Sequence, residues 1–391
     1  MRKVISVIEL DYHAEVLDNL LELIKGCGII INVFTTNKIF EQLSREHQNR
    51  EEIHYYLKDE YQKPTVFLKD HLNLINSSAL LIINTLKSAT HFLAISHIIA
   101  PVVLRIHNVN FYFARRRSMA LENLCKVPFS GYKHFYNRIF TKKEIFSIPK
   151  ALKKTSIITL PNEKIKEYAA SLSPKWLKGK KLEVLPFSYH DSNISLSQHD
   201  EQAIKITIPG KVDFKRRDYY TFLYALDKIK NEIIYSVNLH ILGKPANNNA
   251  LEIIKKFKAL ENKHLKIITY NHYIPQDHFQ EIIKESDFFV LPLKIKTNYL
   301  FWTEYYGLSK ISGSISDIIR YAKPAIITEG YELGKDLDQF CENYRDKDDL
   351  AKKLLSWINE KKYSFYHQAA KEVLLKYNKA SLLNKIYHWS K

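Results

Sequence analysis

Apolar positions in the first hundred residues fall into short blocks with two alternating spacings. Val4–Leu10 is a brief apolar run and predicts a strand. Ala14–Lys25 puts Val16, Leu17, Leu20, Leu21 and Ile24 at helical spacing, and Ile29–Thr35 follows as a second strand after a Gly-Cys-Gly break. Ala79–Asn84, Pro101–Arg105 and Ser156–Leu160 predict further buried strands. Strands separated by helices imply a parallel sheet covered on both faces.

The same alternation restarts near Ile204. "IKITIPGK" reads as a strand ending in a glycine turn, Tyr219–Lys230 as a helix, and "YSVNLHILGK" and "HLKIITYNHYI" as the next strands. "DHFQEIIKES" is helical, "DFFVLPL" is a strand, and a loop and helix lead into the strand "PAIITEG". Arg345–Lys361 and Tyr366–Lys391 predict closing helices. The polar run His190–Gln202 is the natural linker. Two doubly wound α/β domains are expected, 1–195 and 203–370, with 371–391 closing the chain and packing back on the N-terminal domain. Two such domains facing a cleft would place ligands at the carboxyl ends of their strands.

Composition sharpens this picture. A chain of 391 residues that is 46% apolar can bury two cores. Cys27, Cys125 and Cys341 lie far apart, which speaks against a disulfide framework or a zinc site and suits a reducing, cytoplasmic setting. The first residues read as a strand rather than a signal peptide, and no apolar stretch is long enough to span a membrane. The net charge of +17 asks for an anionic partner. Arg105–Lys154 alone holds twelve Lys/Arg against two acids, interleaved with Phe and Tyr. That mixture suits a peripheral site on the anionic inner face of a membrane. Single-stranded nucleic acid ranks lower, because no nucleic-acid motif accompanies the patch.

Two constellations in the second half suggest phosphate chemistry. Gly210 and Lys211 end a strand, and Arg216 and Arg217 follow just before a helix. Glycine admits close backbone approach, and the cations give charge-assisted bonds to phosphate oxygens. Further on, Ser312, Gly313 and Ser314 open a helix. With Ser312 as N-cap, the amides of Gly313, Ser314 and Ile315 are expected to be free for an anion, and Asp317 lies one turn in.

Together these stretches resemble the donor domain of GT-B-fold glycosyltransferases, in particular the retaining class with two acids spaced eight apart. Gly210-Lys211 and Arg216 stand where that class has a Gly-Arg turn and a lysine. Asp317-Ile318 and Ala322-Lys323-Pro324 match its Glu-Ala, helix and Gly-x-Pro frame, and Glu304-Tyr305-Tyr306-Gly307-Leu308 looks like its Glu-x-Phe-Gly-Leu loop. One spacing departs from the class: Glu304 lies thirteen residues before Asp317, and Ser309 occupies the eight-residue position.

The resemblance implies an enzyme that moves a sugar from a nucleotide-diphosphate donor to a hydroxyl of a glycan or lipid-linked glycan, without metal or cofactor. Lys211, Arg216 and Ser312–Ser314 would hold the diphosphate, Asp317 the ribose, and Glu304 the sugar. In the acceptor domain Asp11, His13 and His107 are candidate general bases, each following a strand. The alternatives are a nucleotide-sugar epimerase of the same plan and a non-catalytic scaffold that binds anionic membranes or partners.

Overall fold

The computed structural model describes residues 3–114, 118, 144–172, 174–190, 203–299 and 302–390. Cys125, nearly all of the expected linker and most of the basic, aromatic stretch fall outside them. The chain divides into two compact units. Unit 1 comprises 1–187, 298–304 and 380–391; unit 2 comprises 188–297 and 305–379.

Unit 1 is built on seven strands: β1 (Val4–Ile8), β2 (Ile30–Thr36), β3 (Ile53–Lys58), β4 (Leu80–Ile83), β5 (Val102–Arg105), β6 (Ile157–Leu160) and β7 (Lys181–Val184). They run parallel in the order β3-β2-β1-β4-β5-β6-β7. Ile5 of β1 registers with Leu80 of β4, so the order reverses between these strands. The interior strands are mostly apolar, as strands buried on both faces are: all four residues of β4, β5 and β6 are buried, Arg105 and Thr159 among them. Three helices matter below: α1 (Ala14–Ile24), α2 (Leu86–Ile95) and the short α3 (Val109–Phe113). Beneath the sheet edge, His47 clamps α1. Its Nδ1 lies 2.6 Å from Asp18 and its Nε2 2.8 Å from Glu22.

Unit 2 repeats the plan with β8 (Ile204–Pro209), β9 (Val237–Leu242), β10 (Leu265–Thr269), β11 (Phe288–Leu291), β14 (Ala325–Thr328) and β15 (Cys341–Tyr344). Between β11 and β14 the chain makes a two-stranded hairpin, β12 (Lys296–Tyr299) and β13 (Trp302–Tyr305). The main sheet is parallel in the order β10-β9-β8-β11-β14-β15, so its reversal lies between β8 and β11. Ile206, Ile208, Phe222, Leu239, Phe288 and Trp357 share one core, each buried side chain contributing about 1.5–3 kcal/mol. Helix α4 (Tyr219–Ile229) is capped by Asp218, which accepts from the Thr221 amide and hydroxyl. Helix α5 (Gly313–Tyr321) precedes β14, and α6 (Lys379–Trp389) closes the chain. Among the described residues no helix is long and apolar enough to cross a membrane.

The periodicity predicts the interior strands to within a residue or two but does not predict β3, β7, β15 or the hairpin. β3, β7 and β15 are edge strands. They pair on one side only and expose residues such as His54, Lys181 and Asn343, so they lack the unbroken apolar runs of buried strands.

Candidate functional site

In unit 2 the strand-end loops converge at the β8/β11 reversal. Gly210 follows β8 with φ +97°, a left-handed conformation that favours glycine. Gly243, after β9, packs so tightly on it that a Cβ there would lie 2.3 Å from the Gly210 carbonyl oxygen. Lys211 and Arg216 are exposed on this loop. Arg217 is instead buried at 6% exposure. It donates to the carbonyl of Lys211 at 2.9 Å, to the carbonyl of Pro209, and to the Ser314 hydroxyl at 3.3 Å. Ser314 in turn donates to the Pro209 carbonyl at 3.3 Å. One guanidinium therefore braces the Gly210–Lys211 turn against the first turn of α5. The sequence offered Arg216 and Arg217 alike as phosphate-facing cations and carried only Arg216 into the donor-site set; the structure gives Arg217 a bracing role instead. The available signal was its place two residues before an aromatic, apolar helix.

Helix α5 begins at Ser312, whose side chain makes no capping bond. The Ile315 amide turns back onto the Ser312 carbonyl at 3.0 Å, so it is not free as the sequence implied. The amides of Gly313 and Ser314 have no acceptor among the described residues. Gly313 is exposed, and a Cβ there would meet nothing within 4 Å. Among the described residues no neighbour accounts for its being glycine. Asp317 lies one turn in, partly buried. Ser309 is buried and ties its own loop, accepting from the Tyr305 amide at 2.8 Å. The same loop is anchored beside the basic one. The Lys294 amide donates to the Arg216 carbonyl at 2.9 Å and the Tyr306 amide to Ile295 at 2.9 Å. Burial pushes the Tyr306 phenol up, and Arg216 and Arg217 pull it the other way.

In unit 1 the corresponding reversal, between β1 and β4, is filled by Glu9, which is 0% exposed. One carboxylate oxygen accepts the amides of Asp11 (2.8 Å) and Tyr12 (3.3 Å). The other accepts Asn84 Nδ2 (2.8 Å) and the Thr85 hydroxyl (2.6 Å). Burial pushes the Glu9 carboxyl up, with His13 opposing. Asn84 also accepts from buried Arg105 at 3.2 Å, and burial brings that guanidinium down to about 9. None of these three was a sequence candidate. Each looks like an ordinary core-edge residue until the strands are paired.

The three first-half candidates fare differently. Asp11 is committed to the start of α2: its oxygens accept the Ser88 amide (3.0 Å) and hydroxyl (2.7 Å), and its side chain is 2% exposed. His13 and His107 are brought together as parallel stacked rings with centroids 4.0 Å apart, and His107 stacks on Phe187 at 4.4 Å. His107 Nε2 lies 2.8 Å from the Asn84 carbonyl, which only accepts, so that nitrogen carries the proton. Burial pulls the His13 imidazole down, but the Glu15 hydrogen bond and charge, with Glu9 and Asp11, leave it above its ordinary value.

Glu304 is also not where the resemblance implied. It belongs to unit 1, is 0% exposed, and accepts the amides of Asn110 (3.3 Å) and Phe111 (2.9 Å) at the start of α3. Glu304 lies on β13 of the hairpin, upstream of the extra residues before Asp317, and the hairpin brings its carboxylate to that helix. Among the described residues no group of three His, Cys, Asp or Glu side chains is placed to hold a metal ion.

Comparison with known proteins finds likeness in shape only. No family model and no curated protein matches the sequence. Among solved structures, Anabaena HepE in complex with UDP superposes with a TM-score of 0.60 at 12% identity, covering 99% of this chain and 98% of that one. The pneumococcal O-GlcNAc transferase GtfA, in complex with UDP and GlcNAc, gives 0.60 at 10% identity over 100% and 98%. The α,α-trehalose 6-phosphate synthase of Burkholderia multivorans gives 0.61 at 9% identity over 100% and 98%. With its two parallel sheets and their matching strand order, the chain has the GT-B fold, the architecture of these glycosyltransferases.

Proposed function

We propose that this protein is a glycosyltransferase that takes a sugar from a nucleoside-diphosphate donor held by unit 2. One observation carries the reading: two α5 amides with no acceptor among the described residues, beside an open Gly313 and braced by buried Arg217 against the Gly210–Lys211 turn at the strand-order reversal. Such a helix start favours anionic oxygens through its aligned amides and the helix dipole. Exposed Lys211 and Arg216 would neutralise the departing diphosphate, with Arg217 adding fixed positive charge beneath. This is charge stabilisation from the chain's own groups, so the reading is metal-independent. Asp317 would accept ribose hydroxyls. UDP, found with Anabaena HepE and pneumococcal GtfA, is the first nucleotide to test.

The acceptor is assigned to unit 1, as a hydroxyl of a glycan or lipid-linked glycan. His13 and His107 are the groups nearest to proton-transfer or positioning roles, since Asp11 is spent on α2. The charged stretch 105–154 would hold the protein on anionic lipid. Isothermal titration with UDP, GDP and ADP and their sugars tests the donor site. One nucleotide should bind, and Lys211→Ala and Asp317→Ala should each weaken it about tenfold or more. No binding by any nucleotide would remove the enzyme reading and leave the scaffold. Turnover should persist in EDTA. Sedimentation with vesicles should rise with anionic lipid and fall with salt.

A further inference from the structure

Helix α3 has a residue suited to capping in the N-cap position, Asn108, yet that side chain makes no capping bond, and its buried Oδ1 has no partner among the described residues. The second and third amides of the helix, Asn110 and Phe111, are the ones an N-cap side chain normally satisfies. Both go instead to Glu304, from a segment 193 residues away or more. The surrounding contacts fix this placement. Asn110 Nδ2 donates to the Thr303 carbonyl at 2.9 Å, the Thr303 amide donates to the Ser118 carbonyl at 2.9 Å, and Trp302 meets Phe111 edge-on with ring centroids 4.8 Å apart. The Tyr168 hydroxyl holds Asn110 from the other side, at 2.6 Å. Helix α3 directly continues the His107–Asn108 loop, so whatever fixes its first turn fixes that loop.

We propose that Glu304 is a surrogate N-cap for α3 and, through it, a positioning residue for the His107–Asn108 loop. Its full negative charge suits the helix start better than an amide does. With the cap supplied from the hairpin, Asn108 is released from that duty at a strand end where a substrate group would arrive. The carboxylate that the resemblance would place on the donor sugar has become a support for the acceptor side. This deepens the glycosyltransferase reading and rests on it for its kinetic arm.

The test uses the full chain with Glu304→Gln and Glu304→Ala. Amide hydrogen exchange over residues 109–113 should quicken about 5–30-fold in Glu304→Ala and less in Glu304→Gln, the range expected for a lost cap. Affinities for UDP and UDP-glucose, and their ratio, should stay within twofold of wild type, while kcat falls and donor KM holds. Unchanged exchange in Glu304→Ala would overturn the proposal, as would a selective loss of UDP-glucose affinity relative to UDP, which marks a sugar contact. If Glu304→Ala does not fold, Glu304→Gln carries the same readouts. A wild type that binds none of UDP, GDP, ADP and their sugars defeats the enzyme reading but leaves the exchange measurement to decide the cap.

Discussion

The two strand-order reversals of this protein share a topology and differ in what fills them. Between β1 and β4 the space is taken by Glu9, whose two oxygens accept four hydrogen bonds from the chain. Between β8 and β11, β8 runs into Gly210, the nearby helix start keeps two amides with no acceptor among the described residues, and Lys211 and Arg216 face solvent. A polar group placed at a reversal either completes the protein's own hydrogen bonding or leaves it for a ligand. Polar residues at the first reversal should therefore act on stability, and those at the second on binding.

The largest effect is expected where the closed network is broken. Glu9→Ala strands the Asn84 and Thr85 donors and two amides and leaves Arg105 without its neighbouring charge. It should cost about 3–5 kcal/mol in urea unfolding. A cost below about 1 kcal/mol would erase the contrast. Next comes the open side. The double variant Lys211→Ala/Arg216→Ala should weaken nucleotide binding by about 100-fold or more and leave the unfolding midpoint nearly unmoved, since both side chains are exposed.

The His47 clamp gives the contrast a pH dependence. Burial alone would lower this imidazole, but the Asp18 and Glu22 hydrogen bonds raise it to about 9. Its contribution is therefore complete below the unfolded value of 6.5 and is lost as pH rises through 9, a span of roughly 3 kcal/mol. Asp18 is held below its usual range through the same bond, so its share fades only in acid. Lys323, brought down to about 8 by burial, gains stability with pH above that value. The decline is thus best read between pH 6.5 and 8, and His47→Gln should flatten it. The smallest effect sharpens the open side. Gly313→Ala should keep or raise stability by about 0.5–1 kcal/mol, because a helical alanine is favoured and its Cβ meets empty space. The same change should weaken nucleotide binding. Unaltered affinity would mean that the glycine is not there for a ligand.

Local chemistry made some of these sites legible. Gly210-Lys211 and Ser312-Gly313-Ser314 lie within single loops, so short windows of sequence display them. Glu9, Asn84 and Arg105 were not legible, because their meaning depends on strands brought side by side from 75 and 96 positions away in the chain. Arg216 and Arg217 could not be told apart by type. Only the turn into α4 decides that one is exposed and the other braces two loops.

The sequence by itself determined that two alternating strand–helix halves exist, where their buried strands run, and which glycines and cations end them. Apolar run length and helical spacing are local consequences of burial on both faces of a sheet. Tertiary structure alone decided where the edge strands β3, β7 and β15 lie and which histidines stack. It also sent Asp11 to a helix start and Glu304 to the first turn of α3. Those outcomes depend on hydrogen-bond partners distant in the chain, and a carboxylate goes where unpaired amides are left for it.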